Sequence, residues 1–118
     1  MVIEDEKVLL KAIKIRLEDF GFSVVQAESY QQAIEKIEGD QIDLIWLDHY
    51  LIGEKDGLDF MVYIRAKKKF ENIPVYLITN TCSSDKYENY KQLGIKKYYM
   101  KSDVELGQVV GELAKAYR

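Results

Sequence analysis

Short apolar runs alternate along the chain with longer stretches whose apolar residues recur every three or four positions. The short runs predict strands and the longer stretches predict amphipathic helices. Because helical patterns of similar length separate the strands, the alternation indicates βαβ units and a parallel sheet with helices on both faces. The five predicted strands are Met1–Ile3, Phe22–Val25, Ile42–Leu47, Pro74–Thr79 and Tyr98–Met100.

Capping residues and glycines give the expected limits of the five helices. Two capping boxes are predicted, Ser29 with Gln32 and Ser102 with Glu105. The third helix is expected from about Asp56 to Lys69, where three consecutive lysines would complement the negative end of the helix dipole. The other predicted helix limits are Gly21, Gly39, Ser83 and Gly94.

Right-handed crossover connections leave few ways to arrange five such units. The flavodoxin-like order 2-1-3-4-5 is the commonest small solution. We therefore predict an α/β fold, a doubly wound (βα)5 arrangement with a five-stranded parallel sheet in the order 2-1-3-4-5. The 118 residues contain no linker, internal repeat or low-complexity tract, so one domain is expected over residues 1–118.

Composition narrows the chemistry that this fold can perform. Seventeen Lys and Arg residues against 20 Asp and Glu residues leave a net charge of −3, so direct binding of nucleic acid is not expected. Apolar runs are too short to cross a membrane and residues 1–6 are acidic, so we expect a cytoplasmic protein. A single Cys82 and a single His exclude an internal disulfide and argue against a zinc centre.

Polar residues follow four of the predicted strands. Glu4–Glu6 follow the first strand, Asp48 the third, and Lys101 the fifth, while Thr79 ends the fourth. Open α/β sheets bind ligands beyond the carboxyl ends of their strands, at the point where the strand order reverses. The fold therefore gathers at least three carboxylates, one hydroxyl and one ammonium group at one edge.

Such a cluster of carboxylates favours a bound cation. Two like charges about 4 Å apart repel by roughly 4 kcal/mol at an effective dielectric constant near 20. A hard divalent ion with oxygen ligands relieves this repulsion, and both Mg²⁺ and Mn²⁺ suit the residues available. Asp48 is then a candidate nucleophile, because carboxylates form acyl phosphates and because Lys101 and Thr79 could stabilise a transferring phosphoryl group.

These residues, in this order, resemble the receiver domain of two-component response regulators in its CheY-like, single-domain form, over essentially the whole chain. The resemblance implies that Asp48 accepts a phosphoryl group from a sensor histidine kinase or a histidine phosphotransfer protein, with Mg²⁺ bound. It implies a signalling module that is not an enzyme but assists its own phosphorylation and dephosphorylation. The implied residues are the metal ligands Glu4, Asp5, Asp48 and Tyr50, the catalytic Asp48, Thr79 and Lys101, and the switch residues Thr79 and Tyr98.

The resemblance also implies how phosphorylation would change the contacts of the domain with other proteins. Thr79 would move toward the phosphoryl group and Tyr98 would turn inward, which would remodel the surface of helix 4, strand 5 and helix 5. That surface would contact a downstream protein target or a second copy of the chain. An aromatic and basic set on helix 4 and strand 5 is the predicted docking surface, and its members are Tyr87, Tyr90, Lys91, Lys96, Lys97 and Tyr99.

Three positions depart from the pattern of the family. Ile52 and Ser102 stand where Pro is common, and Asn80 stands where a small residue is usual. Asn80 is expected to narrow the approach to Asp48. A trans peptide bond is expected before Ser102, because a cis bond without Pro costs about 3–4 kcal/mol. These departures concern rate and partner choice, since no catalytic group is lost.

Residues beside the acceptor also need an interpretation. His49 follows Asp48 directly, and the alternation of side chains along an extended segment predicts that its ring points away and into solvent. Tyr50 and Thr81 lie two residues beyond Asp48 and Thr79, at positions that tune dephosphorylation in the family that the chain resembles. We therefore treat them as candidate modulators.

Three other functions share this topology. A pseudo-receiver scaffold is one alternative, but such a module should have lost at least one of the five functional residues. A flavodoxin-like FMN carrier needs hydroxyls and glycines after the first strand, where this chain carries three acids that repel phosphate. An aspartyl phosphatase would need a second Asp at the position of Tyr50.

Overall fold

Five parallel strands alternate with five helices along the residues that the computed structural model describes, 1–80 and 82–117. The strands are β1 (Val2–Ile3), β2 (Gln26–Ala27), β3 (Ile45–Leu47), β4 (Val75–Thr79) and β5 (Lys97–Met100). The helices are α1 (Lys7–Asp19), α2 (Tyr30–Gly39), α3 (Gly57–Arg65), α4 (Ser84–Gln92) and α5 (Leu106–Tyr117). The sheet has the order β2-β1-β3-β4-β5, which confirms the predicted topology. Within the described residues, no helix combines the length and apolar character needed to cross a membrane.

Each face of the sheet is covered by its own apolar core. On one face, Ile45 and Leu47 of β3 pack with Phe60 of α3 and Tyr90 of α4. On the other face, Trp46 of β3 packs between α1 and α5. Successive side chains of a strand point to opposite faces, so a strand covered on both sides requires a continuous apolar run. This is why β3 lacks the alternating pattern of a half-exposed strand.

Two strands start three or four residues later than predicted, because strand pairing, and not apolar content, decides where they lie. The segment 22–25 was predicted as the second strand, but β2 starts only at Gln26, which pairs with Val2 of β1. The side chains of Phe22 and Val24 in that segment pack against the core between α1 and α5. Similarly, β3 occupies only the second half of the predicted 42–47, where it pairs with both β1 and β4.

The third helix ends four residues earlier than predicted. Its last residue, Arg65, donates from Nε to the backbone oxygen of Leu93 at a distance of 2.7 Å. The three lysines that were expected to end the helix lie in the turn after it, so their predicted role at the helix dipole is wrong. Lys67 and Lys69 instead lie 3.7 and 2.7 Å from the carboxylate of Glu38 on α2.

One of the two predicted capping boxes is confirmed in half and the other is wrong. The Ser29 hydroxyl caps α2 by accepting a hydrogen bond from the backbone nitrogen of Gln32, at 3.2 Å. The Gln32 side chain accepts a hydrogen bond from the backbone nitrogen of Glu28 and not from that of Ser29. Ser102 lies instead in a short 3₁₀ turn, Lys101–Asp103, that follows β5. The helix α5 starts only after Glu105, whose backbone oxygen accepts the first hydrogen bonds of the helix.

Gly57, the first residue of α3, is a position where a side chain does not fit. A Cβ atom there would lie 2.6 Å from the backbone oxygen of Asp48 and 2.7 Å from the hydroxyl of Tyr90. We expect Gly57→Ala to lower the free energy of unfolding by about 2 kcal/mol, as overpacked substitutions do. Urea denaturation measures this change.

Gly111→Ala is the matched control for this prediction. Gly111 lies within α5, and a Cβ atom there meets nothing within 4 Å. Since Gly costs about 0.5–1 kcal/mol relative to Ala inside a helix, this variant should be stabilised. A Gly57→Ala protein as stable as the wild type would contradict the close packing described here.

Candidate functional site

The carboxyl ends of four strands meet at one edge of the sheet. Glu4 and Asp5 follow β1, Asp48 follows β3, Thr79 ends β4 and Lys101 follows β5. The parallel registers align these strand ends, since the last residues of β1 and β3 pair with each other, as do those of β4 and β5. The structure therefore brings together the five residues that the sequence placed at this edge.

Three carboxylates lie close to one another in this group. Glu4, Asp5 and Asp48 each offer an oxygen atom within 4.8 Å of the others. Glu4 is fully buried and Asp48 is 3% exposed, whereas Asp5 is partly exposed. Burial raises the pKa of Glu4 to about 7, and although a hydrogen bond from Lys101 opposes this, the negative charge of Asp48 adds to it. The site thus concentrates negative charge where water solvates it poorly.

The ammonium group of Lys101 lies between two of these carboxylates. Its Nζ donates to Oε1 of Glu4 at 2.6 Å and to Oδ2 of Asp48 at 3.1 Å. Burial lowers the pKa of Lys101, but the hydrogen bond to Glu4 and the charge of Asp48 outweigh it, so the pKa is raised. The group is therefore a fixed positive charge in the site.

The two oxygens of Asp48 have different partners. Oδ1 accepts a hydrogen bond from the Thr79 hydroxyl at 2.5 Å and another from the backbone nitrogen of Tyr50 at 3.3 Å. Oδ2 accepts from Lys101. These contacts fix the orientation of the carboxylate before any reaction takes place.

The predicted switch residue, Tyr98 of β5, contacts the loop that follows Thr79. The Tyr98 hydroxyl donates to the backbone oxygen of Asn80 at 3.2 Å, and its ring centroid lies 5.4 Å from that of Tyr87. Tyr50, which follows Asp48 by two residues, is 50% exposed. The candidate modulator Thr81 lies outside the described residues.

The prediction that His49 faces solvent is wrong, because its side chain is 1% exposed. Nδ1 lies 2.6 Å from the hydroxyl of Tyr90, and Nε2 lies 3.4 Å from Nζ of Lys86 and 3.6 Å from Oδ2 of Asp56. Burial lowers the pKa of His49, which keeps the ring neutral near pH 7. The alternation of side chains predicted only that His49 points away from Asp48. It carried no signal that α4 covers the side to which His49 points.

The predicted docking surface on α4 and β5 also needs correction. Tyr90 is fully buried on one face of the sheet, and Tyr99 is 5% exposed on the other, where its hydroxyl donates to Glu112. Tyr87 is only partly buried, with Nζ of Lys91 at 5.2 Å from its ring centroid. Two of the three tyrosines therefore belong to the core and do not form a surface.

The positions that depart from the family pattern leave the acid cluster intact. The described residues contain no cis peptide bond, which confirms the expected trans bond between Lys101 and Ser102. Ile52 is 60% exposed, and its backbone forms an isolated bridge with Ser29. The side chain of Asn80 is exposed, while its backbone oxygen holds the hydroxyl of Tyr98.

Comparison with known proteins identifies the family. Residues 1–110 match the family described as the response regulator receiver domain. The chain belongs to this family. Receiver domains are the signalling modules of two-component systems and are not enzymes in the ordinary sense, which agrees with an acid cluster at the end of a parallel sheet.

Individual relatives agree with this assignment. The phosphate regulon transcriptional regulatory protein PhoB of Escherichia coli K12 is 33% identical over 79 residues, which cover 67% of this chain and 34% of PhoB. The chain thus matches about a third of the length of that relative. This receiver domain is therefore similar to one part of a longer regulator.

Solved structures show the same fold. A CheY-like receiver domain protein from Methanospirillum hungatei JF-1 has a TM-score of 0.86 at 19% identity, covering 98% of this chain and 89% of that one. The Mn²⁺-bound form of the response regulator Rcp1 has a TM-score of 0.80 at 21% identity, covering 95% and 88%. At these identities the likeness concerns the fold.

The position of Lys101 predicts a large effect on stability. We expect Lys101→Met to lower the free energy of unfolding by about 3 kcal/mol, because it leaves the buried Glu4 and Asp48 without their positive partner. The measurement is urea denaturation in EDTA. Adding Glu4→Gln to this variant should restore part of the loss.

Lys97→Met is the matched control. Nζ of Lys97 lies 3.5 Å from Glu112, but both side chains are largely exposed. Exposed ion pairs contribute only about 0–1 kcal/mol, so this variant should differ little from the wild type. Equal losses from the two lysine substitutions would contradict the role given to the ammonium group of Lys101.

Proposed function

We propose that residues 1–118 form one phospho-accepting receiver domain, in which Asp48 takes a phosphoryl group from a sensor histidine kinase or a histidine phosphotransfer protein. The observation that carries this proposal is the environment of the Asp48 carboxylate. It is buried, oriented by Thr79 and Lys101, and flanked by two further acids. The family of the chain supplies the phosphoryl chemistry that this arrangement fits.

The reaction moves one phosphoryl group between two side chains. A carboxylate oxygen of Asp48 attacks phosphorus as the bond from phosphorus to the histidine nitrogen of the donor breaks, and the electron pair of that bond returns to the nitrogen. The equatorial oxygens carry most of the charge in such a transfer, so catalysis depends on positioning and charge neutralisation. Lys101 and Thr79 lie within reach of those oxygens because both already contact the attacking carboxylate.

The acid cluster fits a divalent cation. Three carboxylates with one ammonium group leave excess negative charge, and all of the candidate ligands are hard oxygen atoms, which Mg²⁺ and Mn²⁺ prefer. We propose Glu4, Asp5 and Asp48 as ligands, with Tyr50 contributing by analogy with the family. When bound, the ion would neutralise charge on the phosphoryl oxygens. The Mn²⁺-bound form of Rcp1, which has the same fold, supports this assignment.

The output of the domain is proposed to be a change of surface. Phosphorylation would draw Thr79 toward the phosphoryl group and turn Tyr98 inward, which would alter the face formed by α4, β5 and α5. This face would bind a downstream protein or a second copy of the chain. We propose that the domain acts in the cytoplasm. Its net charge of −3 is in keeping with the absence of direct binding to nucleic acid or membrane.

Phosphorylation by a small donor tests the acceptor. Acetyl phosphate with Mg²⁺ should add one phosphoryl group to the wild type and none to Asp48→Asn, as measured by the mass of the intact protein. Asp19→Asn, which changes a carboxylate at the far end of α1, is the control and should be labelled like the wild type. An unlabelled wild type would favour a scaffold that does not use phosphorylation.

Metal binding tests the acid cluster separately. We expect calorimetric titration with Mg²⁺ or Mn²⁺ to show one site in the wild type and at least tenfold weaker binding in Asp5→Asn, since one ligand charge is lost. Glu6→Gln is the control, because Glu6 neighbours Asp5 in sequence but lies outside the cluster. If both variants weakened binding equally, the assignment of the ligands would be wrong.

A further inference from the structure

The helix α4 is attached to the rest of the molecule by little apolar surface. Tyr90 is its one buried residue among the described positions, and apart from the partly buried Tyr87 the remainder of the helix is polar or charged. The Tyr90 ring belongs to the core that contains β3 and α3. Segments with few buried apolar contacts open at low free energy, so the position of α4 depends strongly on what holds Tyr90.

The polar end of Tyr90 reaches the residue that follows the phospho-acceptor. Its hydroxyl forms a buried hydrogen bond of 2.6 Å with Nδ1 of His49. Gly57 makes this approach possible, because a Cβ atom at that position would lie 2.7 Å from the hydroxyl. The single buried anchor of α4 is therefore bonded to the loop that carries Asp48.

Charged residues of α3 and α4 complete the surroundings of His49. Nζ of Lys86 lies 3.4 Å from Nε2 of His49 and 3.7 Å from Oδ2 of Asp56. Nε2 also lies 3.6 Å from Oδ2 of Asp56, so this nitrogen faces both an ammonium group and a carboxylate. A neutral imidazole has one donor and one acceptor nitrogen, so Nδ1 and the Tyr90 hydroxyl form a hydrogen bond in either tautomer. The ring thus links α4 to the acceptor loop through both of its nitrogens.

The backbone of the same loop leaves His49 little freedom to move alone. Its carbonyl oxygen accepts a hydrogen bond from the nitrogen of Gly57 at 2.9 Å, and the nitrogen of Asp48 donates to the oxygen of Ile3 at 3.0 Å. Asp48 and His49 also share a peptide bond, with their side chains on opposite sides of the strand end. A displacement of Asp48 is therefore transmitted to the ring of His49.

We propose that His49 and Tyr90 are positioning residues that couple the state of Asp48 to the position of α4. The inference rests on the proposed function, in which Asp48 is the phospho-acceptor. One connection between Asp48 and α4 would run through Thr79, Asn80 and Tyr98. His49 and Tyr90 would add a second connection, on the side of α4 that faces α3. A change of charge or position at Asp48 would alter the His49–Tyr90 hydrogen bond and loosen or shift the helix that this bond holds.

Amide hydrogen exchange of residues 84–92 tests whether the bond holds the helix. Tyr90→Phe keeps the buried ring and removes only the hydroxyl, and should raise exchange rates in α4 on the order of tenfold, the size expected when one buried hydrogen bond is lost. His49→Phe removes the ring nitrogens and should have the same effect. Tyr87→Phe, on the same helix but only partly buried, is the control and should leave exchange unchanged.

A double-mutant cycle tests the coupling to the acceptor. Asp48→Asn in an otherwise wild-type chain should change exchange in α4 at least threefold, and the same substitution in Tyr90→Phe should have little further effect. The cycle of Asp48→Asn with His49→Phe should give the same result and stands alone if Tyr90→Phe does not fold. Additive effects in a cycle, or no effect of Asp48→Asn on α4, would overturn the proposal.

Phosphorylated samples separate this proposal from the proposed function. With acetyl phosphate and Mg²⁺, the wild type and Tyr90→Phe should take up equal amounts of phosphoryl group by mass, but the change of exchange in α4 should be smaller in Tyr90→Phe, because only the route through Tyr98 remains there. An equal change in both proteins would overturn the coupling. Absence of label on the wild type would reject the proposed function, and the cycle on unphosphorylated protein would still decide the coupling.

Discussion

One partly buried ammonium group determines whether the edge of this sheet can exist as it does. Nζ of Lys101 contacts Glu4 and Asp48, which follow different strands and are both removed from water. Removing a charge from water costs several kcal/mol unless it is paired and hydrogen-bonded. The pairing here is incomplete, because three carboxylates share one ammonium group. The excess negative charge that remains raises the free-energy cost of folding and favours the binding of a cation.

The rest of the molecule is arranged so that this imbalance can be maintained. Both faces of the sheet are covered by apolar cores, which hold the strand ends in register and exclude water from beneath the site. The absence of a side chain at Gly57 lets α3 begin against the loop of Asp48 and His49. Hydrogen bonds from Thr79 and Tyr50 then orient the Asp48 carboxylate. A rigid scaffold of this kind supports a strained cluster of charges better than a loop could.

How much of the fold and of the site could be predicted from the sequence depended on how far apart along the chain the interacting residues are. The strand order and the meeting of Glu4, Asp48 and Lys101 followed from the rule that parallel strands end at one edge. The start of β2 and the end of α3 were missed, because one depends on register with β1 and the other on a contact between Arg65 and Leu93, 28 residues apart. The burial of His49 depends on Tyr90, 41 positions further along, and no local pattern signals such a partner.

The separation of Lys101 from Glu4 along the chain, 97 residues, has a consequence for synthesis. A ribosome releases Glu4 and Asp5 well before Lys101. Until β5 docks, a nascent chain therefore carries the carboxylates of Glu4 and Asp48 without their counter-charge and with an unfinished sheet edge. The cluster is complete only after residue 101 has emerged and β5 has paired with β4, so a fragment that ends before this residue lacks the assembled site.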